Sequence, residues 1–385
     1  MSAFDEADRH ALLVLNHPYL TGRWVYPFFQ EGIPPSGVLS RIQAEDLAGK
    51  RAALEACLKI FDPGLEMEKC RSLGCRPVFL FDQDFPLLLK EIADPPLVLY
   101  VLGEILGSDT AAVAIVGARH ASFYGLRHAR VFSHELAQAG ITVVSGLAKG
   151  IDQAAHEGAL EVPYGRTLAV LGSGIDRCYP RENEALARRL SERGAVITEY
   201  PLGTDPLARN FPRRNRIIAG LALGVVVIEA HSRSGSLITA REAAEQGREV
   251  FALPGPVDQF TSRGTNRLIK EGAALAESSE DILFALAQGV RSLIHRPKSS
   301  EENLNAETGS GIPAGEGPSS PGPEGEFAEA KVLSSEIRGL EKEPSDFEGI
   351  LERSGYSAGK LAGLLIEWEL QGKIRRRKDG KYELC

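Results

Sequence analysis

Five segments of this chain concentrate the residues best suited to chemistry, and what they suit is holding an anion beside a flat ring. IVGARHASFYG at 115–125 places Gly117, Ala118 and Arg119 after an apolar run. SGLAKGID at 145–152 places Gly146 and Lys149 in the same way, and LGSGIDRCYPREN at 171–183 follows with Gly172, Ser173, Gly174, Arg177, Tyr179 and Arg181. NFPRRNRIIAG at 210–220 sets Arg213, Arg214 and Arg216 beside Asn210, Phe211 and Asn215. SRSGSLITAREA at 232–243 offers Ser234, Gly235, Ser236 and Thr239 around a helix start. Glycine lets a ligand approach the backbone, and helix N-termini attract phosphate. Cations interleaved with an aromatic suit a single-stranded nucleic acid, whose phosphates meet arginine while a base meets the ring. Each segment also has a plainer reading: a tight turn, a solvated lysine, a charged helix start, or a serine that caps its helix. The spacing at 115–125 is not GxGxxG.

Catalytic constellations are missing from the same inventory. The sheet region, residues 86–290, has no GxSxG elbow and no GxxxxGK[ST] loop. His120, His128, His134, His156 and His231 lack metal-ligand spacing. Asp152 and His156 stand at i and i+4 on one helix, a pair that could orient a base but more often serves structure. No cofactor is expected.

The elements that must position these residues alternate. Strands are expected at 112–116, 141–145, 167–171, 195–198, 225–229 and 249–252. Helices are expected at 126–139, from about 152, and at 182–193, 215–223 and 236–246. Strands alternating with helices predict an α/β domain built on a parallel sheet covered on both faces, and the run VVVIEA fits a buried central strand. The five segments then fall at the carboxyl edge of that sheet, where such folds bind ligands. Residues 95–106, PPLVLYVLGEIL, read as a strand or extended lead-in.

Four regions are expected. Residues 1–85 form a small helical domain of the SAM or helix-hairpin-helix kind, and 86–290 the sheet domain. Residues 291–327 form an acidic linker so rich in Pro, Gly and Ser that disorder is expected. Residues 328–385 form a winged-helix-like module of three helices and a hairpin turning at Lys378-Asp379-Gly380. Its RRRK sits on the wing rather than on a recognition helix, which favours a protein-interaction role over duplex binding.

Composition is that of a soluble globular protein, with 43% hydrophobic and 25% charged residues. The acidic N-terminus does not read as a secretory signal, and no apolar stretch is long enough for membrane insertion. Five scattered cysteines without a CxxC pair are expected to stay reduced in a cytoplasm. Net charge is −8 over 385 residues, which argues against nucleic acid only until it is located. Residues 113–275 carry 20 Lys+Arg against 16 Asp+Glu, a local +4 that leaves −12 on the flanks. Eighteen of those 20 cations are arginine, whose planar fork matches phosphate.

Taken in order, VGARHASFYG, SGLAKGIDQAAHEGAL, LGSGIDRCYPREN, FPRRNRIIAG, VVVIEA, SGSLITAREAAEQGREVFALPGP and RGTNRLIKEGA resemble the DNA-processing protein A (DprA/Smf) family from about residue 95 to 274. The resemblance implies an extended Rossmann-like fold that binds single-stranded DNA, a head-to-head homodimer and contact with the RecA recombinase. It implies protection of incoming strands and RecA loading during natural transformation, without ATP hydrolysis. Carried over by position, Arg119 is implied to meet phosphate, Arg181 to supply a basic contact and Phe211 to stack on a base. Asn215 and Arg216 belong to the same motif as Phe211. The glycines at 117, 146, 172, 174 and 235 match the pocket backbone. Ala118, Ser122 and Ala222 depart from commoner Ser, Thr and Ser, which weakens individual hydroxyl contacts.

Two functions therefore stand against each other. The preferred one is a sequence-independent single-strand-binding protein that is not an enzyme. The alternative is a Rossmann-fold nucleotide-processing enzyme of the nucleoside-monophosphate phosphoribohydrolase type. Its PGGxGTxxE signature is met only by PGP at 254–256 and by SRGTNRLI at 262–269, where Leu268 stands in the glutamate's place. A shared fold carries little weight for function.

Overall fold

A computed structural model describes residues 5–20 and 22–294 and, near the C-terminus, residues 350, 365, 368, 374–376 and 381–384. Residues 291–294, the start of the expected linker, are helical and the rest of it lies outside the described residues; of the three helices of the winged-helix-like module only residues 350, 365 and 368 are described. Five helices come first: α1 (Glu6–Asn16), α2 (Tyr26–Gln30), α3 (Pro35–Glu45), α4 (Arg51–Leu58) and α5 (Pro63–Ser72). Asp5 caps α1 by accepting from the Asp8 amide, and Asp62 caps α5 by accepting from the Leu65 amide ahead of Pro63 in its first turn. Strand β1 (Cys75–Phe79), helix α6 (Leu87–Lys90) and strand β2 (Val98–Gly103) follow.

From there strand and helix alternate as expected: β3 (Ala112–Val116), α7 (Phe123–Gln138), β4 (Thr142–Ser145), α8 (Ile151–Glu161), β5 (Thr167–Val170), α9 (Glu184–Arg193) and β6 (Ala195–Thr198). After them come α10 (Asn210–Gly220), β7 (Gly224–Val227), α11 (Ser236–Glu245), β8 (Glu249–Ala252), α12 (Arg263–Lys270), β9 (Ala274–Leu275) and α13 (Ser279–Ile294). The nine strands form one sheet in the order β1-β2-β6-β5-β4-β3-β7-β8-β9. Strands β6 to β9 along that order are parallel and make the Rossmann-like core. β1 and β2 extend it as antiparallel strands, β2 pairing with β6. The extended lead-in expected at 95–106 is thus a sheet member, and a strand stands within the stretch expected to be helical.

Alternation along the strands decides the layers. Leu168, Val170 and Ile197 share one apolar cluster with α10 and the N-terminal helices, while Ala169 and Val196 turn to the opposite face against α9. The chain runs β3 to β6 outward on one side, then returns across to place β7 beside β3. That reversal makes the β3/β7 boundary a topological switch point, with a crevice between loops that leave in opposite directions. In the tail, β10 (Ile374–Arg376) pairs antiparallel with β11 (Tyr382–Leu384), as the turn signal at 378–380 suggests. Among the described residues no helix is long and apolar enough to cross a membrane.

Candidate nucleic-acid interface

The crevice at the switch point is a groove of about 740 Å³. Its near wall is the turn after β3, with Gly117, Ala118, Arg119 and His120. Local bonds fix that turn. Ser122 caps α7 through the Gly125 amide at 3.1 Å. The Ser122 amide donates to the Glu229 carboxylate at 2.8 Å and its hydroxyl donates to the same group, which ties the ends of β3 and β7 together. Beneath it, Gly150 takes φ +79°, and a Cβ there would lie 2.4 Å from the Ala118 carbonyl oxygen and 2.6 Å from that of Arg119. The turn that presents Arg119 thus depends on a glycine thirty-one positions along the chain.

Helix α10 supplies the floor and begins at Asn210, earlier than the charged sequence suggests. Asn210 is buried, its Nδ2 donating to the Gly172 carbonyl at 3.0 Å. Phe211 rests half-buried on Gly172, where a Cβ would come within 3.0 Å of the ring. The Arg119 guanidinium lies 5.3 Å from the Phe211 centroid and that of Arg214 5.9 Å, within cation–π range. Tyr179 approaches the same ring at 5.7 Å.

The arginines divide into two kinds. Arg119 is exposed at the groove. Arg214 is buried, donating to the carbonyls of Gly146 (2.9 Å) and Val170, and Gly146 exists to admit it: a Cβ would meet its Nη2 at 2.6 Å. Burial pushes Arg214 down to about 10, against the pull of Asp152, so it stays charged at neutral pH. Asp152 is itself buried at the groove's base, its carboxyl raised by burial and opposed by Arg214. Arg216 does not reach the groove. Its guanidinium makes two bonds, 2.7 and 2.8 Å, to the buried Glu199 carboxylate and one of 3.0 Å to the Asp94 carbonyl.

On the far side α11 opens into the groove. Gly235 precedes it and its first turn is closed locally: the Leu237 amide donates to the Ser234 carbonyl at 3.2 Å and the Ile238 amide to the Gly235 carbonyl at 3.1 Å, while the Ser234 and Ser236 hydroxyls lie 2.8 Å apart at the groove. Thr239 and Asn215 complete this side, the Asn215 Nδ2 donating to the Gly235 carbonyl at 3.3 Å. His231, Phe260 and Thr261 form the end wall.

Of the expected residues, Gly117, Ala118, Arg119, Phe211, Arg214, Asn215, Gly235, Ser236 and Thr239 line the groove together. Gly146 and Gly172 sit behind it, making room for the protein's own Arg214 and Phe211. Gly174 similarly clears the Asp176 carboxylate and the Pro201 carbonyl. Ser173 is buried, donating to the Arg177 carbonyl at 2.7 Å. Lys149 pairs with Glu182 at 2.6 Å on the surface. Arg181 lines a neighbouring cleft of about 500 Å³ that shares Tyr179 and Pro206 with the groove. His231 and Phe260 carried no sequence signal, because only tertiary folding brings the loop after β8 back to the end of β7. No group of three or more potential metal ligands occurs among the described residues.

Comparison with known proteins agrees with this architecture. The family described as DNA recombination-mediator protein A matches over residues 76–287. Protein Smf of Escherichia coli (strain K12) is 49% identical over 217 residues, covering 56% of this chain and 58% of that protein's length. The solved structure of DNA processing protein A from Streptococcus pneumoniae aligns with a TM-score of 0.64 at 36% identity, covering 73% of this chain and 98% of that one. A structure of the Helicobacter pylori protein, concerned with its single-stranded DNA binding mode, aligns at 0.50 and 29% identity over 56% of this chain and 96% of that one. With a matching family spanning more than half its length, the chain belongs to the DNA recombination-mediator protein A family.

Proposed function

We propose that the switch-point groove binds single-stranded DNA without regard to base sequence. The observation that carries this is the pairing of an exposed arginine with an accessible ring: the Arg119 guanidinium stands 5.3 Å from Phe211 inside a groove open to a flexible strand. Arginine takes phosphate whatever the base, and every base has a face to stack. The start of α11 adds the Ser234 and Ser236 hydroxyls and the positive end of its helix dipole for a second phosphate. The Helicobacter pylori relative, characterised for its single-strand binding mode, supports the same reading.

Binding rather than turnover fits the groups present. Asp152 is engaged by Arg214 and by the Ala148 amide, and His156 is buried with its Nδ1 2.7 Å from the Thr167 hydroxyl. Nucleoside monophosphates incubated with the protein should yield no free base. Family membership supports two further parts of the proposal: a homodimer, read by sedimentation over a range of concentrations, and delivery of the bound strand to RecA, read by RecA filament assembly on strands already coated by this protein.

The central test is a titration with oligothymidine at several salt concentrations. Arg119→Ala should weaken binding about tenfold, the scale of one charge-assisted contact. It should also reduce the salt slope by about one, because one fewer phosphate is neutralised. An affinity indifferent to the substitution at every salt concentration would overturn the proposal.

A further inference from the structure

Phe260 is 59% exposed, a large ring left in water at the end wall of the groove. Its surroundings are nonetheless tightly built. The Thr261 carbonyl accepts from the Ala230 amide at 2.8 Å, and the Gly264 amide donates to the Ala230 carbonyl at 2.7 Å. Asn266 clasps Gly255 from both sides, accepting its amide at 3.2 Å and donating to its carbonyl at 2.9 Å. These bonds fasten the loop after β8 to the residue preceding His231. The two rings consequently stack, with centroids 5.5 Å apart and planes 16° from parallel. His231 is held in turn, its Nδ1 accepting from the Arg233 amide at 3.2 Å. Arg263 brings its guanidinium to 5.9 Å from the Phe260 centroid.

We infer that Phe260, backed by His231, is a second base-stacking platform of the groove. This rests on the single-strand reading above and deepens it. The first ring, Phe211, sits on Gly172 beyond β5, and the second is tied to the end of β7. The sheet order β5-β4-β3-β7 puts three strand spacings, about 14 Å, between those anchor points. One base cannot cover both rings, so they take two different bases of one strand. Between the anchors lie Arg119, after β3, and the Ser234 and Ser236 hydroxyls at the start of α11, both placed for the intervening phosphates. A fixed ring with a guanidinium in cation–π range recreates at this end the arrangement of Phe211 with Arg119.

The test is a cycle between protein and strand using full-length chain and oligothymidines from about four to about sixteen nucleotides, the range of single-strand site sizes. Phe260→Ala should weaken binding of the longer strands by about tenfold, the scale of one base–ring stack, and Phe260→Trp should restore it. On a strand with abasic sugars throughout, Phe260→Ala should change little, because no base is present to stack. An equal loss on abasic and base-bearing strands would show that the ring acts structurally and would overturn the inference. So would unaltered affinity on every strand with a shifted sedimentation profile, which would make Phe260 a contact between copies of the chain. If Arg119→Ala still weakens binding in that case, the groove reading survives without its second platform. If wild-type protein binds none of the strands, the groove reading itself falls.

Discussion

Arg216 shows how residue type and residue role come apart. It lies in the same arginine-rich run as Arg214, yet Glu199 holds it 7% exposed, and the carboxylate is itself buried. A buried pair contributes little net stability against an apolar replacement, but removing one partner strands the other charge, at about 3–5 kcal/mol. Glu199→Ala should therefore lower the unfolding free energy, read from urea titration, by that order. The folded fraction should bind oligothymidine with near wild-type affinity, since neither group lines the groove. A large loss of affinity without loss of stability would show that Arg216 works at the ligand after all. The glycines teach the same lesson. Gly146 and Gly172 were expected to admit a ligand's backbone contact, and what fills the space their missing Cβ atoms leave is Arg214 and Phe211. Residue types at the site were legible in the sequence; which of them face a ligand was not, because facing is decided by partners far away in the chain.

Elements were more legible than residues. β3, β6 and β8 fall at the expected bounds because runs such as AVAIV and AVIT, closed by glycine or polar turns, admit few alternatives. Helix α10 begins five residues before expectation, since FPRRN looks too charged to be buried until Glu199 and the carbonyls of Gly146 and Val170 are in place. β2 was half-visible and β1 hidden, because the pairing of β1 with β2 and of β2 with β6 is a long-range fact. Helix α8 carries a titratable consequence. His156 lies on its buried face with Nδ1 against Thr167 of β5 and no partner for Nε2, and burial pushes it down to about 3. A base whose folded pKa lies below its unfolded value of about 6.5 is protonated first in the unfolded chain. Stability from this group is complete above pH 6.5 and is lost as pH falls toward 3, by at most about 1.4 kcal/mol per pH unit. Asp152, whose carboxyl is raised, opposes this, because the folded chain takes its proton more readily. His17 and His128 are also lowered by burial, so the wild-type slope is a sum. His156→Gln isolates one contribution: its stability between pH 6.5 and 4.5 should fall less steeply than that of wild type. Parallel slopes would mean that His156 does not titrate on unfolding.

At the scale of the whole molecule, the question is whether the N-terminal helices are an accessory or part of the sheet's foundation. Sequence alone suggests a separate helical domain ending near residue 85. The packing argues for a single cooperative body over residues 5–286. Leu12, Leu13, Val38 and Ile42 belong to the same apolar cluster as Val98, Leu99, Ile197 and Ile217. Buried polar groups stitch the layers: Asn16 donates to the Glu199 carbonyl at 2.7 Å and accepts from the Val98 amide at 3.2 Å, and Glu66 accepts from the Leu202 amide at 2.8 Å. The Asn16 amide alone would leave two unmet groups behind if α1 were removed, each costing about 1–3 kcal/mol. The exposed leucine and valine faces would add more, at about 25 cal/mol per Å². A chain lacking residues 1–74 should therefore lose the cooperative urea transition and bind hydrophobic dye, and its loss of oligothymidine binding would follow from unfolding although no deleted residue lines the groove. If the truncated chain keeps its transition midpoint and its affinity, the helices are a detachable domain, and the stitching through Asn16 and Glu66 contributes nothing that the sheet requires.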